Sequence, residues 1–437
     1  MNILLLGSGG REHAMACRIA ASERCSKLYV APGNAGTGEV PKCENVACDP
    51  MIFAEVGQFV TSHNVAMVVV GPEAPLVAGI ADYFAKETNL KNVMVIGPGA
   101  SGAQLEGSKD FAKQFMQRHN IPTAAYRTFA ASEVEDGVAF LRTLKSPYVL
   151  KADGLAAGKG VLIIDNLDEA ERELRGMLVD GKFGEASAKV VVEEFLSGVE
   201  LSVFVLTDGK HYKILPTAKD YKRIDDGDTG PNTGGMGSIS PVHFADKPFM
   251  QKVEERIVAP TVKGLHDEGI DYKGFIFVGL MAVRNGNTGE LEPYVIEYNA
   301  RMGDPETESV FPRITSDVVD LFEHTWQGNL HQTTVNVDPR TAACVMMVSG
   351  GYPGHYEKGK TITGVDQVEG SMVFHAGTRR GADGSLQTAG GRVLCITSLA
   401  DNMPVAVLKS YQEVEKINWD GCFFRHDIGQ DLLKMMI

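Results

Sequence analysis

Ile3-Leu-Leu-Leu-Gly-Ser-Gly-Gly10 is an apolar run that breaks off into glycine, and the same design recurs through the first hundred residues. Residues 28–30 give way to Pro32-Gly-Asn-Ala-Gly36, residues 66–70 to Gly71-Pro-Glu-Ala-Pro75, and residues 93–96 to Gly97-Pro-Gly99. Segments 11–21 and 78–86 between them are helix-compatible. Strands alternating with helices predict a parallel α/β sheet. All four glycine loops then lie at its carboxyl edge, where open sheets bind ligands. The plainer alternative is that Gly and Pro only turn the chain. A dinucleotide fingerprint is not completed: Glu12 stands where the third glycine should be, and no acidic residue ends the second strand. That sets a dehydrogenase aside.

The 437 residues exceed one ordinary core, so two to four domains are expected. A hydrophobic share of 44% with 48 glycines describes a globular, loop-rich chain. The net charge of −14 and the absence of a basic tract argue against a nucleic-acid partner. Anionic substrates must then be met locally, by a few Lys and Arg, helix N-termini and bound metal. The seven cysteines are odd in number and contain no C-x-x-C, as expected of reduced thiols in a cytoplasmic protein. Met1 to Gly7 run straight into a strand-like segment rather than a signal peptide. No apolar stretch is long enough to imply a membrane partner.

Ser108 is a plausible cap for a helix over 110–119. The texture changes from Pro122. A strand is expected at 148–152, then a glycine loop, a helix at 167–179 and a strand at 189–195. Long loops alternate with strands to Asn299, and a helix at 317–327 follows. A last unit has strands near 342–348, 372–375 and 392–397 and a helix around 404–411. The expected division is an N-terminal α/β domain (1–108), a middle domain (109–334) with a lid subdomain at about 123–195, and a small mixed α/β domain (335–437).

Three stretches carry chemistry. Lys151-Ala-Asp-Gly-Leu-Ala-Ala-Gly-Lys-Gly160 follows a strand, and small side chains let backbone N–H groups close over phosphates. Its spacing is one short of a Walker A loop, with Gly160 at the Ser/Thr position; the plainer alternative is a surface hairpin. In Val191-Val-Glu-Glu-Phe-Leu196, an apolar strand ends in a stretch able to border an adenine ring, with Glu200 placed for ribose hydroxyls. Alone, an acidic strand end is usually just solvated. In Val295-Ile-Glu-Tyr-Asn-Ala-Arg-Met-Gly-Asp-Pro-Glu-Thr307, Glu297 and Asn299 are two apart on a strand and share a face. A carboxylate beside an amide oxygen is a hard pair suited to Mg²⁺ carrying nucleotide phosphates. Arg301, on the same face if the strand persists, adds a fixed fork for a carboxylate or phosphate.

Lys109, the Lys151 loop, the Glu193–Leu196 stretch, Glu200 and Glu297-x-Asn299 occur in an order that resembles ATP-grasp ligases. Gly9-Gly-Arg-Glu-His13, Ala31-Pro-Gly-Asn-Ala-Gly-Thr37, Gly71-Pro-Glu-Ala-Pro-Leu76, Thr229-Gly-Pro-Asn-Thr-Gly-Gly-Met-Gly237 and Arg301-Met-Gly-Asp-Pro-Glu306 narrow the resemblance to the phosphoribosylamine–glycine ligase family. It runs over essentially the whole chain, including Gly350-Gly-Tyr-Pro353 and Gly390-Gly-Arg-Val-Leu394. The resemblance implies an ATP-grasp fold between an α/β domain and a small C-terminal domain. It implies ligation of glycine to 5-phosphoribosylamine with ATP, in purine synthesis, by a monomer or weak dimer using Mg²⁺ or Mn²⁺. ATP would meet Lys109, Lys151, Asp153, Gly154, Gly158, Lys159 and Gly160, with Glu193, Glu194, Phe195 and Leu196 around adenine and Glu200 on ribose. Glu193 and Leu196 would pair with adenine through backbone. Glu297 and Asn299 would hold the metal, and Arg301 and Lys151 would be catalytic. Gly9, Gly10, Gly36, Thr37, Glu73 and Pro75 would line the phosphoribosylamine pocket. Asp220, Lys222, Asn232, Gly234, Gly235 and Asp304 would approach the substrates.

One departure stands out: Gly279-Leu-Met-Ala-Val283 lacks the further metal carboxylate that many ATP-grasp members carry. The chain also ends soon after the third unit, which is the length of a single-function ligase. No cysteine or histidine falls in a catalytic setting, and His13 reads as a packing residue. Two rivals remain, an ATP-grasp ligase for another acid and amine, and a nucleotide-binding regulator without turnover.

Overall fold

The computed structural model describes residues 1–154 and 160–436. The expected ATP contacts Gly158 and Lys159 lie outside the described residues. Five parallel strands form the first sheet in the order β3-β2-β1-β4-β5, with β1 at Asn2–Gly7, β2 at Lys27–Pro32, β3 at Cys43–Asn45, β4 at Val65–Val70 and β5 at Met94–Ile96. Its helices are α1 (Gly10–Ala20), α2 (Phe53–Ser62), α3 (Glu73–Val77), α4 (Ile80–Lys86) and α5 (Ala100–Gly107). Strand order reverses between β1 and β4, so the loops after those two strands flank a switch-point crevice. In the Gly71–Pro75 stretch, read from the sequence as a glycine loop, Glu73 already starts α3.

Helix α6 (Lys109–Arg118) is capped by Ser108, whose hydroxyl accepts from the Phe111 N–H. A four-stranded sheet follows in the order β6-β9-β7-β8: β6 Tyr126–Ala130, β7 Tyr148–Ala152, β8 Val161–Ile164 and β9 Lys189–Glu194. Helices α7 (Val134–Leu141) and α8 (Leu167–Leu178) pack over it. The central sheet runs β11-β10-β16-β17. Here β10 is Val199–Thr207, β11 Tyr212–Ile214, β16 Gly274–Arg284 and β17 Leu291–Asn299.

Residues 241–273 were expected to be loop and strand, yet α9 (Lys247–Val253), a wider π-type turn (Glu254–Val258) and α10 (Ala259–Asp267) make one helical run. Phe249, Val253, Ile257, Val258, Val262 and Leu265 are all buried at helical spacing. Pro260 argues for a break, and the wider turn just before it absorbs the missing hydrogen bond.

The last unit does not own its sheet. β12 (Lys219–Asp220) and β15 (Gly237–Ser240) join β18 (Thr341–Val348), β22 (Arg392–Ala400) and β19 (Met372–His375) in the order β12-β15-β18-β22-β19. Small hairpins are formed by β13 (Arg223–Asp225) with β14 (Thr229–Asn232), and by β20 (Thr378–Arg380) with β21 (Leu386–Thr388). The remaining helices are α11 (Thr307–Val310), α12 (Val318–Gln327), α13 (Met403–Val414) and α14 (Gln430–Met436). All cysteines are free, and among the described residues no helix is long and apolar enough to cross a membrane.

Because β15 pairs with β18 from Gly237↔Val345 to Ser240↔Ala342, a chain ending at residue 334 would expose that edge and the buried Met236 and Ile239. It should melt about 10 °C or more below the full chain and bind a hydrophobic dye. Equal melting temperatures would show that the shared sheet adds no stability.

Candidate functional site

The site is built on one face of the central sheet. Ser202, Gly279 and Glu297 share a cross-strand row, and Phe204, Phe277 and Asn299 share the next. The register slips between Gly279 and Leu280, so Ile296 is an extra residue on β17. That bulge reverses the alternation: Val295 and Tyr298, three apart, both enter the core, while Glu297 and Asn299 turn together to the opposite face. A Cβ on Gly279 would stand 3.1 Å from the Glu297 Cγ, so the position that lacks a carboxylate is also the one that gives Glu297 its room.

Strand β17 ends at Asn299, two residues before Arg301, so the strand continuation expected for Arg301 does not form. Arg301 is instead fixed by its neighbours. Its Nη2 donates to Glu106 Oε1 at 2.8 Å and to Asn299 Oδ1 at 3.2 Å, and its Nε lies 3.4 Å from Glu73 Oε2. Glu106 also accepts the Ala300 N–H at 2.8 Å, so this buried carboxylate, which sequence reading missed, aims the whole turn. Burial works to raise the Glu297 carboxyl, but Lys222, Lys151, Lys109 and Arg301 outweigh it and hold it below the usual range. A charged carboxylate beside an amide oxygen fits a hard cation. Among the described residues no group of three His, Cys, Asp or Glu could hold a metal unaided. Further ligands would have to be phosphate and water.

Lys151 is buried, with Nζ 3.1 Å from Glu193 Oε1 and donating to the Ile296 carbonyl at 3.2 Å. Lys109 heads α6 and is half-buried; burial lowers its ammonium, against the pull of Glu297. The expectation that Glu193 meets adenine through its backbone is corrected by the register. β9 is a central strand, and Glu193 pairs with Tyr126 on one side and Val149 on the other, so its backbone belongs to the ladder. Its carboxylate lies between Lys151 and the buried Lys113. Glu194 bonds Ala125 through both its N–H and its side chain, and the chain leaves the ladder at Phe195 and Leu196. Asp153 serves the α6 N-terminus: its carboxylate accepts from Ser108 Oγ and the Asp110 N–H. Gly154 donates to the Ala186 carbonyl, and Gly160 accepts from Ala152 to close the β7–β8 hairpin.

Glu200 on β10 pairs with Lys222 at 3.0 Å. Asp220 and Glu306 complete an acidic lining, and Ser202 Oγ reaches Glu306 Oε1 at 3.3 Å. Burial and the nearby Asp220 push Glu306 up to about 8.

At the switch point Glu12 fills the crevice. Its Oε2 accepts the Gly9 N–H at 2.6 Å and its carboxylate carbons would clash with a Cβ on Gly7. The residue that breaks the fingerprint thus occupies the ground a pyrophosphate would need. Asp304 lies over the same turn, near Gly9 and the Arg11 N–H, and pairs with Arg392 at 2.9 Å. Arg392 also bonds the carbonyls of Gly234 and Asp304, and Gly235 packs on Pro305, so these glycines serve close loop approach. Asn232 ends β14 opposite Arg223, half-buried. Pro75 is buried inside α3. Gly10 packs against the buried Glu308.

Asn34, unremarked in the sequence, ties the second glycine loop down. Its Oδ1 accepts the N–H groups of Gly36 and Thr37, and its Nδ2 donates to the carbonyls of Ser8 and His375. Gly36 is pressed against His13 and His375; His13 Nδ1 accepts the His375 N–H at 2.8 Å, and burial drives His13 down to about 3. This neutral histidine is an interface residue.

Asn34→Ala would strand several buried backbone groups, and should cost about 2–4 kcal/mol while speeding amide exchange at Gly36 and Thr37. Unchanged denaturation midpoint and exchange would refute the anchoring role.

Three family descriptions match in series: Phosphoribosylglycinamide synthetase, N domain, over residues 1–106; its ATP-grasp (A) domain over 107–307; and its C domain over 342–431. A phosphoribosylamine–glycine ligase of Pseudomonas aeruginosa is 47% identical over 98% of this chain and 97% of its own. The crystal structure of the Thermotoga maritima phosphoribosylamine–glycine ligase superposes with a TM-score of 0.82 at 35% identity, covering 98% of this chain and all of that one. N5-carboxyaminoimidazole ribonucleotide synthetase of the same organism shares the fold alone, with a TM-score of 0.62 at 15% identity over 96% of this chain and 99% of its own. The parallel first sheet, the two antiparallel sheets facing each other across the lysines and Glu297, and the full-length matches agree that this chain belongs to the phosphoribosylglycinamide synthetase family.

Proposed function

We propose that the chain joins glycine to 5-phosphoribosylamine with ATP, giving glycinamide ribonucleotide, ADP and phosphate. The observation that carries the reading is the meeting of Glu297, Asn299, Lys109, Lys151 and Arg301 around one cleft. Their domains would be 1–108, 109–334 with the 123–195 subdomain, and 335–437, the last borrowing β12 and β15.

A carboxylate and an amine do not condense in water until a carboxyl oxygen becomes a good leaving group. Transfer of the terminal phosphoryl of ATP to glycine would give glycyl phosphate, which the amine of phosphoribosylamine attacks, expelling phosphate. The residues must gather negative charge, align the reactants and keep water away. Lys109 and Lys151 would take nucleotide phosphates. Phe195 and Leu196 would border adenine, and Glu200 the ribose. Glu297 and Asn299 would hold a divalent cation, Mg²⁺ or Mn²⁺, which when bound neutralises phosphate charge. Arg301, preset by Glu106 and Asn299, would steady the carboxyl oxygens. Asp220, beside Lys222 and Glu200, would face the glycine ammonium, with Glu306 next to it as a neutral carboxyl near pH 7. Gly9, Gly36, Glu73 and Asp304 would border the phosphoribosylamine, beside Arg301.

Turnover of glycine labelled with ¹⁸O in its carboxylate should place label in the released inorganic phosphate. Label in AMP, or none in phosphate, would overturn the acyl-phosphate route. ADP release that needs neither glycine nor phosphoribosylamine would overturn the substrate reading. For the metal pair, Glu297→Gln and Asn299→Ala should each raise the half-saturating Mg²⁺ concentration about tenfold, a loss on the order of 1.4 kcal/mol, with unchanged melting temperature. Normal metal dependence in both variants would remove the assignment.

A further inference from the structure

The nucleotide reading uses Lys109 and Lys151 and leaves a third lysine unexplained. Lys113, on α6, is more deeply buried than either, at 2% side-chain exposure. Its Nζ donates to Thr123 Oγ1 at 2.8 Å and to the Ala124 carbonyl at 3.4 Å, lies 3.1 Å from Glu193 Oε2, and sits over the Tyr126 ring. Depth and partners leave it no route to a phosphate. The other oxygen of Glu193, Oε1, lies 3.1 Å from Lys151 Nζ, so one buried carboxylate stands between two ammonium groups.

The two cations are not equivalent. Lys113 is fixed by the hydrogen bonds it donates to the segment after α6, whereas among the described residues Lys151 has, besides Glu193, only the carbonyl of the bulge residue Ile296. Lys151 is also within electrostatic reach of Lys109 and Glu297, on the side of the pair nearer the cleft. At contact distance Glu193 has two ammonium groups, Glu194 and Glu297 acting on them from further off, and the one nearer the cleft is Lys151.

We propose that Lys113 is a positioning residue for nucleotide capture: it is the resident counter-ion of Glu193, so that Lys151 can pass from Glu193 to an incoming phosphate without stranding a buried carboxylate. A buried ion pair is costly to break when one charge is left alone. With Lys113 in place, the departure of Lys151 leaves a matched pair. Without it, Glu193 keeps Lys151 for itself and competes with the nucleotide. The proposal rests on the reading that Lys151 meets nucleotide phosphate.

The test is the dissociation constant of ADP with Mg²⁺, measured by titration calorimetry, with Lys113→Met introduced into three backgrounds. In the otherwise native chain it should weaken binding about tenfold, and Lys113→Arg, which keeps the charge, should stay within about threefold of the native chain. In the Lys151→Met background it should change binding by less than about twofold, because no lysine remains to be held back. In the Glu193→Gln background it should again be nearly silent, because no carboxylate remains to be matched. A similar loss in all three backgrounds is what a merely structural lysine would give, and would overturn the proposal. If Lys113→Met fails to fold alone, the Glu193→Gln background decides: a silent change supports the proposal and a loss of about fivefold or more overturns it. Lys151→Met that binds ADP as tightly as the native chain would overturn the phosphate reading of Lys151 itself, and this proposal with it.

Discussion

A single extra residue in β17 sets the polarity of the catalytic face. Were the strand regular past Val295, Glu297 would fall opposite Val278 and Asn299 opposite Ile276, both core residues. A carboxylate would then be driven into the apolar layer, at a cost no neighbouring cation could offset. The bulge at Ile296 turns both polar side chains to the cleft. It also frees the Ile296 carbonyl, which receives Lys151 from the facing sheet. The proposed metal pair, Glu297 and Asn299, and the lysine proposed to meet phosphate are thereby placed by the same local slip.

Around that strand, cations and carboxylates are mixed rather than separated. Lys222 meets Glu200, Lys151 meets Glu193, Arg301 meets Glu106 and Glu73, and Arg392 meets Asp304. A chain of charge −14 cannot present a broad positive field to anionic substrates. It can present cations already aimed, each paired with a protein carboxylate that a substrate oxygen would have to replace. Exchange of one oxygen partner for another costs far less than drawing a lysine out of water.

Much of this was legible in the sequence because it rests on local chemistry. Glycine clusters after apolar runs mark the carboxyl edge of the first sheet, Ser108 marks the start of α6, and Glu297-x-Asn299 shares a face by strand geometry alone. Tertiary choices were not legible. Pro260 hid a helix whose apolar spacing was otherwise plain. The β15–β18 pairing joins residues about a hundred positions apart with no local signal. Glu193 read as a strand-end residue because nothing local says that β9 has neighbours on both sides. Lys113 is four residues beyond Lys109, on an ordinary amphipathic helix, and only the folded structure sends it inward. Asn34 sits in a glycine loop where any turn residue would have looked adequate.

Glu12 shows why the first domain resembles a nucleotide-binding unit without completing its fingerprint. The crevice at a switch point beneath a helix N-terminus attracts anions. Here that attraction is spent internally. Glu12 takes the Gly9 N–H, and its charge is balanced by Arg11 at 2.6 Å. Asp304, reaching over from the turn after β17, lies on the outer side of the same loop. The first domain therefore offers its glycine loop as a wall, shaped by small residues and fixed from beneath by a carboxylate, and on the proposed reading the nucleotide falls to the lysines between the two antiparallel sheets. The N-terminal sheet and the ATP-grasp sheets can then face one cleft without competing for the same phosphate.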